Sequence, residues 1–337
     1  MKKTLLALVL VFLSSGCGSR DGTTAQATEV RIPRGAGGVG FLPLLMIEKF
    51  QLVEKHAKEA GIENLKVQWF DVSGPSAMND ALLSGSVDFI AAGPPAFLIL
   101  WDKTGSTLPV KGVAAMTSLP MYLNTTAPHL NKLEDVTEKD KIALTAIKVS
   151  IPAIVMQMYA RQHFGEAEAM RFDKYTVSMT HADGVIALLG GSGAINAHFT
   201  SPPFHQRERK DPKVRTIMTT NEVMGGPATF TMLSTTAKFR EQNPKIVAAV
   251  LKALDEANAM IVADKKKAAE TMLAATTEGA SLDEILAVLN DPDIRFTTTP
   301  ESVMKYAEFM NSTHSIEHAP MSWKDLFFPE IHDKAGS

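Results

Sequence analysis

The stretch AMNDALLSGSVDFIAAGPPAF, residues 77–97, combines a helix, a turn, a buried strand and a rigid loop. Its first half has the apolar spacing of an amphipathic helix, and SVDFIAA is typical of a buried strand. The strand ends at Gly93, Pro94 and Pro95, where a glycine permits close backbone approach and two prolines fix the loop. In open α/β sheets, ligands bind beyond the carboxyl ends of strands. We therefore expect this loop to form one wall of a binding cleft.

Strand-like and helix-like segments alternate on both sides of this stretch, as in parallel sheets covered by helices. The first series runs from EVRIPRG, starting at residue 29, to PVKGVAAMT, and it includes FLPLLMIEKFQLVEKHAKEAG as one helix. A second series follows Pro120, with strands predicted at MYLNTT, KIALTAI, DKYTVSM, AINAHFT and VRTIMTT. After TFTMLSTT the patterns become helical, beginning with PKIVAAVLKALDEANAMIVADKKKAAETML behind a possible cap at Asn243. The prediction is an α/β protein with two lobes and a helical C-terminal tail.

One phrase occurs in both series. ALLSGSVDFI, residues 81–90, and ALLGGSGAINAH, residues 187–198, each predict a helix end, a glycine turn and a buried strand. Two lobes built on a common plan would produce this echo, and so would coincidence between two amphipathic helix ends. A single echo is not a repeat period.

Composition limits the class of protein. The chain has 337 residues, and a hydrophobic share of 45% supplies enough material for two ordinary cores. The formal net charge of −3 gives no global basic field, so we expect no nucleic-acid partner. Because Cys17 is the only cysteine, no disulfide can form within the chain.

The first 28 residues carry an export signal. Residues 1–16 are predicted to be a signal peptide, because Lys2 and Lys3 precede a short apolar run and then small residues. The position of Cys17 resembles that of the lipidated cysteine in a bacterial lipoprotein box, which implies a lipid anchor; the alternative is an ordinary signal peptide with a cysteine nearby. Residues 17–28 are small and polar, as in a flexible tether. We expect a periplasmic or otherwise extracytoplasmic protein, held at a membrane by that anchor.

Several longer motifs resemble, in the same order, those of the solute-binding proteins of nitrate, sulfonate, taurine and thiamine-pyrimidine type ABC importers. The motifs are the glycine-rich loop before FLPLLMIEKF, then AMNDALLSGSVDFIAAGPP, KVSIPAIVMQMYARQHFG, THADGVIALLGGSGAINAHFTSPPF and FREQNPKIVAAVLKALDEANAMI. The resemblance implies a type II-like periplasmic-binding-protein fold, with two lobes joined by two crossing hinge strands at MYLNTT and TFTMLST. Lobe 1 is then residues 29–122 and 230–337, and lobe 2 is residues 123–229.

The resemblance also implies a function. The chain would bind a small organic or oxyanionic solute between its lobes and deliver it to an inner-membrane permease with its ATPase. Sulfonates, taurine, nitrate, pyrimidines and aromatic acids all suit this class. One alternative is a periplasmic sensor that presents the ligand to a receptor, and another is an enzyme similar to the thiamine-pyrimidine synthases. We expect no catalytic activity, cofactor or metal site, because the sequence has no serine–histidine–acid order, HExxH or CxxC motif.

The first lobe supplies ligand-contact candidates at three predicted strand ends. The loop RGAGGVGF offers exposed backbone amides, DVSGPSA offers a hydroxyl that could instead cap the next helix, and the third end is the Gly-Pro-Pro loop. The candidates are Gly37, Gly38, Phe41, Gly74, Ser76, Gly93, Pro94 and Pro95. Arg34 is the nearest cationic side chain to this predicted cleft.

The second lobe supplies the facing wall. Ser150 and Ile151 precede a helix opened by Pro152, at a position that the resembling family commonly uses for its ligand. THADG and HFTSPPF add Asp183, His198, Thr200 and Ser201, with His181 beside them. Asp183 could also cap its helix, and His198 could be a core histidine.

Overall fold

The computed structural model describes residues 27–72, 74–275 and 280–337. The predicted signal peptide, residues 17–26 of the tether and the lipidation candidate Cys17 lie outside the described residues. In this part of the chain no helix is both long and apolar enough to cross a membrane.

The strands occupy most of the segments that the sequence predicts. They are β1 (Glu29–Pro33), β2 (Lys66–Phe70), β3 (Phe89–Ala92), β4 (Val110–Ser118), β5 (Tyr122–Thr125), β6 (Ile142–Leu144), β7 (Thr176–Ser178), β8 (Ala197–Thr200), β9 (Arg215–Thr219), β10 (Thr229–Thr236) and β11 (Arg295–Phe296).

The helices fill the intervals between strands and most of the C-terminal segment. They are α1 (Leu42–Phe50), α2 (Leu52–Glu59), α3 (Pro75–Leu83), α4 (Pro94–Thr104), α5 (Ile151–Phe164), α6 (His181–Leu189), α7 (Phe204–Glu208), α8 (Thr220–Met224), α9 (Ala237–Gln242), α10 (Pro244–Ala263), α11 (Lys265–Ala275), α12 (Leu282–Leu289), α13 (Val303–Ser312) and α14 (Trp323–Leu326).

The strands form two groups with the same plan. In the first, β1 pairs with β2, while β10 lies between β3 and β4, with β11 at the far edge of β4. The backbone N–H of Asp88, just before β3, donates to the carbonyl of Arg31 in β1 at 2.9 Å, so the two parts lie side by side. The second group is a sheet in the order β7-β6-β8-β5-β9. In each group the first strand to enter after the chain has crossed from the other group, β10 or β5, pairs antiparallel with both of its neighbours.

The repeated phrase in the sequence occupies corresponding places in these two groups. ALLSGSVDFI is the end of α3 and the first half of β3, and ALLGGSGAINAH is the end of α6 and the first half of β8. The echo therefore reflects a common topology. The predicted alternation of strands and helices, in an α/β fold with two lobes, is confirmed.

Two predicted long helices are each divided in two. At Gln51 the backbone adopts a left-handed φ of 51°, and its N–H donates to the carbonyl of Glu48, which ends α1 and starts α2 in a new direction. The second break is at Asp264, between α10 and α11. Neither site contains the glycine or proline that usually marks the end of a helix in a sequence.

The tail also differs from the prediction in two details. It contributes the strand β11, which pairs Arg295 and Phe296 with β4. Asn243 does not cap α10 with its side chain; its Oδ1 accepts a hydrogen bond from the N–H of Ala27 at 3.0 Å and so joins the segment before β1 to the tail. The tail is thus part of the first lobe's sheet as well as its helical cover.

Candidate ligand site

A cavity of about 170 Å³ lies between the two lobes. This is more than about ten times the space that one buried water requires, so a small organic molecule fits. Its wall is mainly apolar, with large side chains contributed by Phe41, Met78, Met121, Ile151 and Phe230. Thr145, Ser150, Thr180, His181 and Thr231 add the polar side chains.

The cavity lies where the strand topology predicts a ligand. Gly74 and Pro75 follow β2, Gly93 follows β3, Ser150 follows β6, and Thr180 follows β7. Each of these residues is at the start of a helix. Carboxyl ends of strands from both lobes therefore face one another across the same space.

The structure brings six of the predicted contact residues to the cavity wall. These are Gly37, Phe41, Gly74, Gly93, Ser150 and Ile151. The other predicted residues, Gly38, Ser76, Pro94, Pro95, Asp183, His198, Thr200 and Ser201, lie elsewhere, and their positions have individual explanations.

Gly38, Pro94 and Pro95 support the wall from behind or from its rim. Gly38 is buried with a φ of 81°, and the next residue, Val39, donates its N–H to the carbonyl of Pro202 in the second lobe at 3.3 Å. Pro94 and Pro95 are buried in the first turn of α4, where their missing N–H groups would have no helical partner in any case. The rigid loop predicted from the sequence therefore presents Gly93, not the prolines, to the cavity.

Ser76 and Asp183 have roles in their own helices. Ser76 is exposed within α3, whose N-terminal cap is Gly74. Asp183 is also exposed, and its carboxylate accepts a hydrogen bond from the Thr180 hydroxyl at 2.7 Å while its N–H donates to the same hydroxyl oxygen. These two hydrogen bonds cap α6, so Asp183 has the helix-capping role that the sequence offered as the alternative to ligand binding.

His198, Thr200 and Ser201 are buried in and just after β8, behind the cavity wall. His198 contacts Glu208 through Nδ1 at 2.5 Å and His181 through Nε2 at 3.3 Å. Thr200 Oγ1 lies 3.4 Å from Nδ1 of His181. His198 is therefore a core histidine with satisfied ring nitrogens, and His181 is the histidine that reaches the cavity.

The polar atoms on the wall are largely committed to the protein. The Ser150 hydroxyl donates to the carbonyl of Ala146 at 2.6 Å, and that of Thr231 donates to the carbonyl of Gly40 at 2.8 Å. Among the described residues, neither the hydroxyl of Thr145 nor Nε2 of His181 has a hydrogen-bond partner. Those two atoms are available to a ligand.

The cavity has an uncharged wall. Among the described residues that line it, none is a lysine, arginine, aspartate or glutamate. Arg34 is not available, because its guanidinium is paired with Glu48 at 2.7 Å and with Asp71 at 3.0 Å, contacts that raise its pKa. Burial, reinforced by the charge of His198, lowers the pKa of His181 to about 3, so this ring is neutral at physiological pH.

Sequence reasoning missed several wall residues for one reason. Met121 and Phe230 lie at the two crossings between the lobes, and the sequence identified those crossings without assigning contacts to them. Since the crossing strands run beneath the cleft, their side chains form its floor. His181 was not missed in the same way: the motif THADG placed it in the facing wall, and it directly follows the Thr180 cap of α6 at the end of β7.

No protein-family model matches the chain, and no curated protein matches it in sequence. Solved structures are similar in fold. The alkanesulfonate-binding protein SsuA from Xanthomonas axonopodis pv. citri, bound to MOPS, has a TM-score of 0.68 at 15% identity, over 87% of this chain and 95% of that one. The periplasmic aliphatic sulphonate binding protein SsuA from Escherichia coli has a TM-score of 0.64 at 17% identity, over 90% and 92%.

A third similar structure is the periplasmic nitrate-binding protein NrtA from Synechocystis PCC 6803, with a TM-score of 0.63 at 15% identity, over 91% of this chain and 84% of that one. The likeness extends over nearly the whole described chain in all three cases. The chain therefore has the two-lobed fold of the periplasmic binding proteins.

Proposed function

We propose that this protein is the extracytoplasmic solute-binding component of an ABC import system, and that it is not an enzyme. The observation that carries the proposal is the mainly apolar cavity between two α/β lobes, at the carboxyl ends of strands from both. The wall includes one histidine and no carboxylate or cysteine among the described residues, so it offers no paired acid and base for catalysis. The similar structures support the proposal, since they are binding proteins for sulfonates and nitrate.

The two lobes act as separate bodies around the cleft in this proposal. Pairing of β5 begins at Tyr122 in the second sheet, and pairing of β10 begins at Thr229 in the first. We therefore place each lobe boundary one residue earlier than the sequence suggests, with lobe 1 formed by residues 29–121 and 229–337 and lobe 2 by residues 122–228. The hinge lies at the two crossings between them.

Three contacts support a closed arrangement of these lobes. Val39 and Pro202 share a backbone hydrogen bond at 3.3 Å, and Gly93 packs directly on Ile151. On the outer side, the ammonium group of Lys210 pairs with the carboxylate of Glu284. A solute that bridges both lobes would shift the population toward this closed form.

The same proposal assigns the partners and the location. The solute-loaded protein acts outside the cytoplasm and delivers its solute to an inner-membrane permease, which works with its ATPase. The signal peptide and a lipid anchor at Cys17 are part of the proposal. Cys17→Ala should move the protein from the membrane fraction to the soluble periplasmic fraction, and an unchanged distribution would refute the anchor.

A thermal-shift screen tests the binding function. The mature protein, unfolded and refolded to remove carried-over solute, is mixed with sulfonates, oxyanions, pyrimidines and aromatic acids. A solute at a hundred times its Kd adds about 2.7 kcal/mol to the free energy of unfolding, which raises the midpoint by several degrees. A shift restricted to one chemical class supports the proposal, and no shift with any solute counts against it.

Two variants locate the binding site in the same screen. Ala36 is an exposed residue on the cavity wall, so Ala36→Trp should fill the entrance and abolish the shift. Ser76 is also exposed and lies outside the wall, so Ser76→Trp is the matched control and should keep the shift. A shift that survives Ala36→Trp would place the solute elsewhere.

A further inference from the structure

His181 is held between the cavity and a buried polar chain. Its ring packs against Phe204 and His198, with centroids 5.3 Å and 5.4 Å away. Its Nδ1 lies 3.3 Å from Nε2 of His198 and 3.4 Å from the hydroxyl of Thr200. Only Nε2 is left to face the cavity, and it has no partner among the described residues.

The chain behind His181 ends at a buried carboxylate. Glu208 and His198 are both 0% exposed, and Oε1 of Glu208 lies 2.5 Å from Nδ1 of His198. The other carboxylate oxygen accepts a hydrogen bond from Nδ2 of Asn124 at 2.7 Å. The Asn124 amide has its Nδ2 on Glu208 and its oxygen on Thr216, whose hydroxyl donates to it at 2.7 Å.

Charge balance fixes the protons along this chain. A buried carboxylate without a compensating charge is strongly disfavoured, so the Glu208–His198 pair is neutral as a unit. Because Oε2 of Glu208 accepts from Asn124, a proton on the carboxyl group would have to sit on Oε1. Either His198 is an imidazolium beside the carboxylate, or Oε1 of Glu208 carries the proton and donates it to Nδ1 of a neutral His198. In both arrangements Nε2 of His198 bears a hydrogen, which points at Nδ1 of His181.

The tautomer of His181 follows from that contact. Since Nδ1 of His181 faces the N–H of His198 and the Thr200 hydroxyl, it must act as an acceptor. A neutral imidazole with an acceptor at Nδ1 carries its hydrogen on Nε2. The ring therefore presents an uncharged N–H donor to the cavity.

We propose that His181 is a ligand-binding residue whose Nε2–H donates to an acceptor atom of the solute, and that Glu208 and His198 are the positioning residues that fix this polarity. The proposal rests on the proposed function and defines its ligand class. Because the rest of the wall is apolar and carries no charge, the solute has an apolar body and an acceptor oxygen or nitrogen directed at His181.

Nuclear magnetic resonance of the histidine rings shows directly, without any ligand, which ring nitrogen of His181 carries the hydrogen. Two-bond proton–nitrogen spectra of ¹⁵N-histidine-labelled mature protein at pH 7 should show His181 as the neutral Nε2–H tautomer. The His181→Gln spectrum identifies its signals. A neutral Nδ1–H tautomer, or an imidazolium, would overturn the proposal whatever the protein transports.

Two variants test whether the buried chain sets the tautomer. In Glu208→Gln, the amide oxygen remains the acceptor for Asn124 and the new NH₂ group donates to His198, so the His181 tautomer should be retained. In His198→Asn, the donor to His181 is lost, and the Nε2–H and Nδ1–H tautomers should both be populated. A pure Nε2–H form in His198→Asn would refute the positioning role, and circular dichroism establishes that each variant is folded.

Solute binding tests the ligand class separately. The probes are butanesulfonate and butanamide, which join an apolar body to an acceptor, and butylammonium, which has donors alone. The first two should raise the midpoint of wild type more than butylammonium does. His181→Phe should weaken binding of butanamide about three- to tenfold, the value of one neutral hydrogen bond, and binding of butanesulfonate more strongly, because its acceptor is charged. His181→Gln should restore part of both losses.

The failures of the two proposals are distinguishable. If butylammonium binds as tightly as butanamide, or if His181→Phe binds butanamide like wild type, the ligand class is wrong while the binding function stands. If no solute in the wider screen binds at all, the proposed function fails, and the ring tautomer still decides the polarity of His181.

Discussion

Gly93 in the first lobe and Ile151 in the second touch across the cleft, with no room for another methyl group between them. A Cβ built on Gly93 would lie 2.8 Å from Cδ1 of Ile151 and 3.1 Å from the carbonyl oxygen of Phe230. Carbon atoms in contact prefer about 3.5–4.0 Å. The closed arrangement therefore depends on a glycine at this strand end.

Gly93→Ala should weaken solute binding, because the new methyl group collides with Ile151 of the other lobe, and the collision is relieved only when that side chain moves or the lobes separate. Overpacking of a close contact costs about 1–3 kcal/mol, which corresponds to a loss in affinity of about five- to a hundredfold. Isothermal titration with the solute from the screen measures the change. Ile151→Ala in the same chain removes the side chain that clashes and should recover part of the loss; wild-type affinity in Gly93→Ala alone would contradict the contact.

Arg34→Ala should leave solute affinity within about twofold of wild type, because the guanidinium is paired with Glu48 and Asp71 and does not line the cavity. Its removal should lower the free energy of unfolding by about 1 kcal/mol or less, as for partly exposed ion pairs. Titration and thermal unfolding measure the two effects. A tenfold loss in affinity would mean that Arg34 turns toward the solute when the solute binds.

Lys210→Ala should favour the open form slightly, because Lys210 and Glu284 join the lobes by an ion pair at the surface. Such pairs contribute about 0.2–1 kcal/mol, so affinity should fall by up to about fivefold at low salt and less at high salt. Lys213 is an exposed lysine with no side-chain hydrogen bond or ion pair in the described chain, and Lys213→Ala is the control. Equal effects of the two substitutions would show that net charge is responsible, not the contact.

Stability should fall on mild acidification because of His181. Burial lowers its pKa in the folded protein to about 3, below the value of about 6.5 in an unfolded chain. The unfolded state then binds the proton more tightly, so the contribution is constant above about pH 7 and decreases as the pH falls toward 3. Between pH 7.5 and pH 5 the predicted loss from this residue is about 2 kcal/mol.

Denaturant unfolding of wild type and His181→Phe at both pH values checks this loss, which should be smaller in the variant. Some loss should remain, since burial also lowers the pKa of His205 to about 4. His314 is exposed and its side chain has no hydrogen bond in the described chain, so His314→Asn is the control and should behave as wild type. An identical pH dependence in wild type and His181→Phe would show that folding does not lower the pKa of His181.

Local patterns predicted the elements of the fold well where each element has its own signal. The buried strand 89–92 and the helix that follows it could be identified because glycine and proline mark their junction. The break at Gln51 could not, since a left-handed glutamine is imposed by the packing of α1 and α2 on α10 and not by its own preference. The two-residue strand β11 also has no signal of its own in the sequence, because it exists only through its pairing with β4.

The site was predictable at the level of loops and less so at the level of side chains. Gly93 and Ser150 lie at strand ends, and the topology alone brings such residues together. Which of His181 and His198 contacts the cavity depends on which ring lies nearer to it. The packing of α6 on β8 decides this, and the sequence does not show that packing. In the first turn of a helix, the side chain one or two residues after a wall residue already points away from the cleft. Ser76, which follows the wall residues Gly74 and Pro75, is such a case.

Small-angle X-ray scattering of the refolded mature protein, with and without the solute from the screen, tests the central claim most directly. If the solute bridges two lobes that close on a hinge, the radius of gyration should fall on addition of the wild-type ligand and should not fall in Ala36→Trp. Identical scattering curves for free and saturated protein, at a solute concentration that gives a full thermal shift, would contradict binding by closure of the cleft.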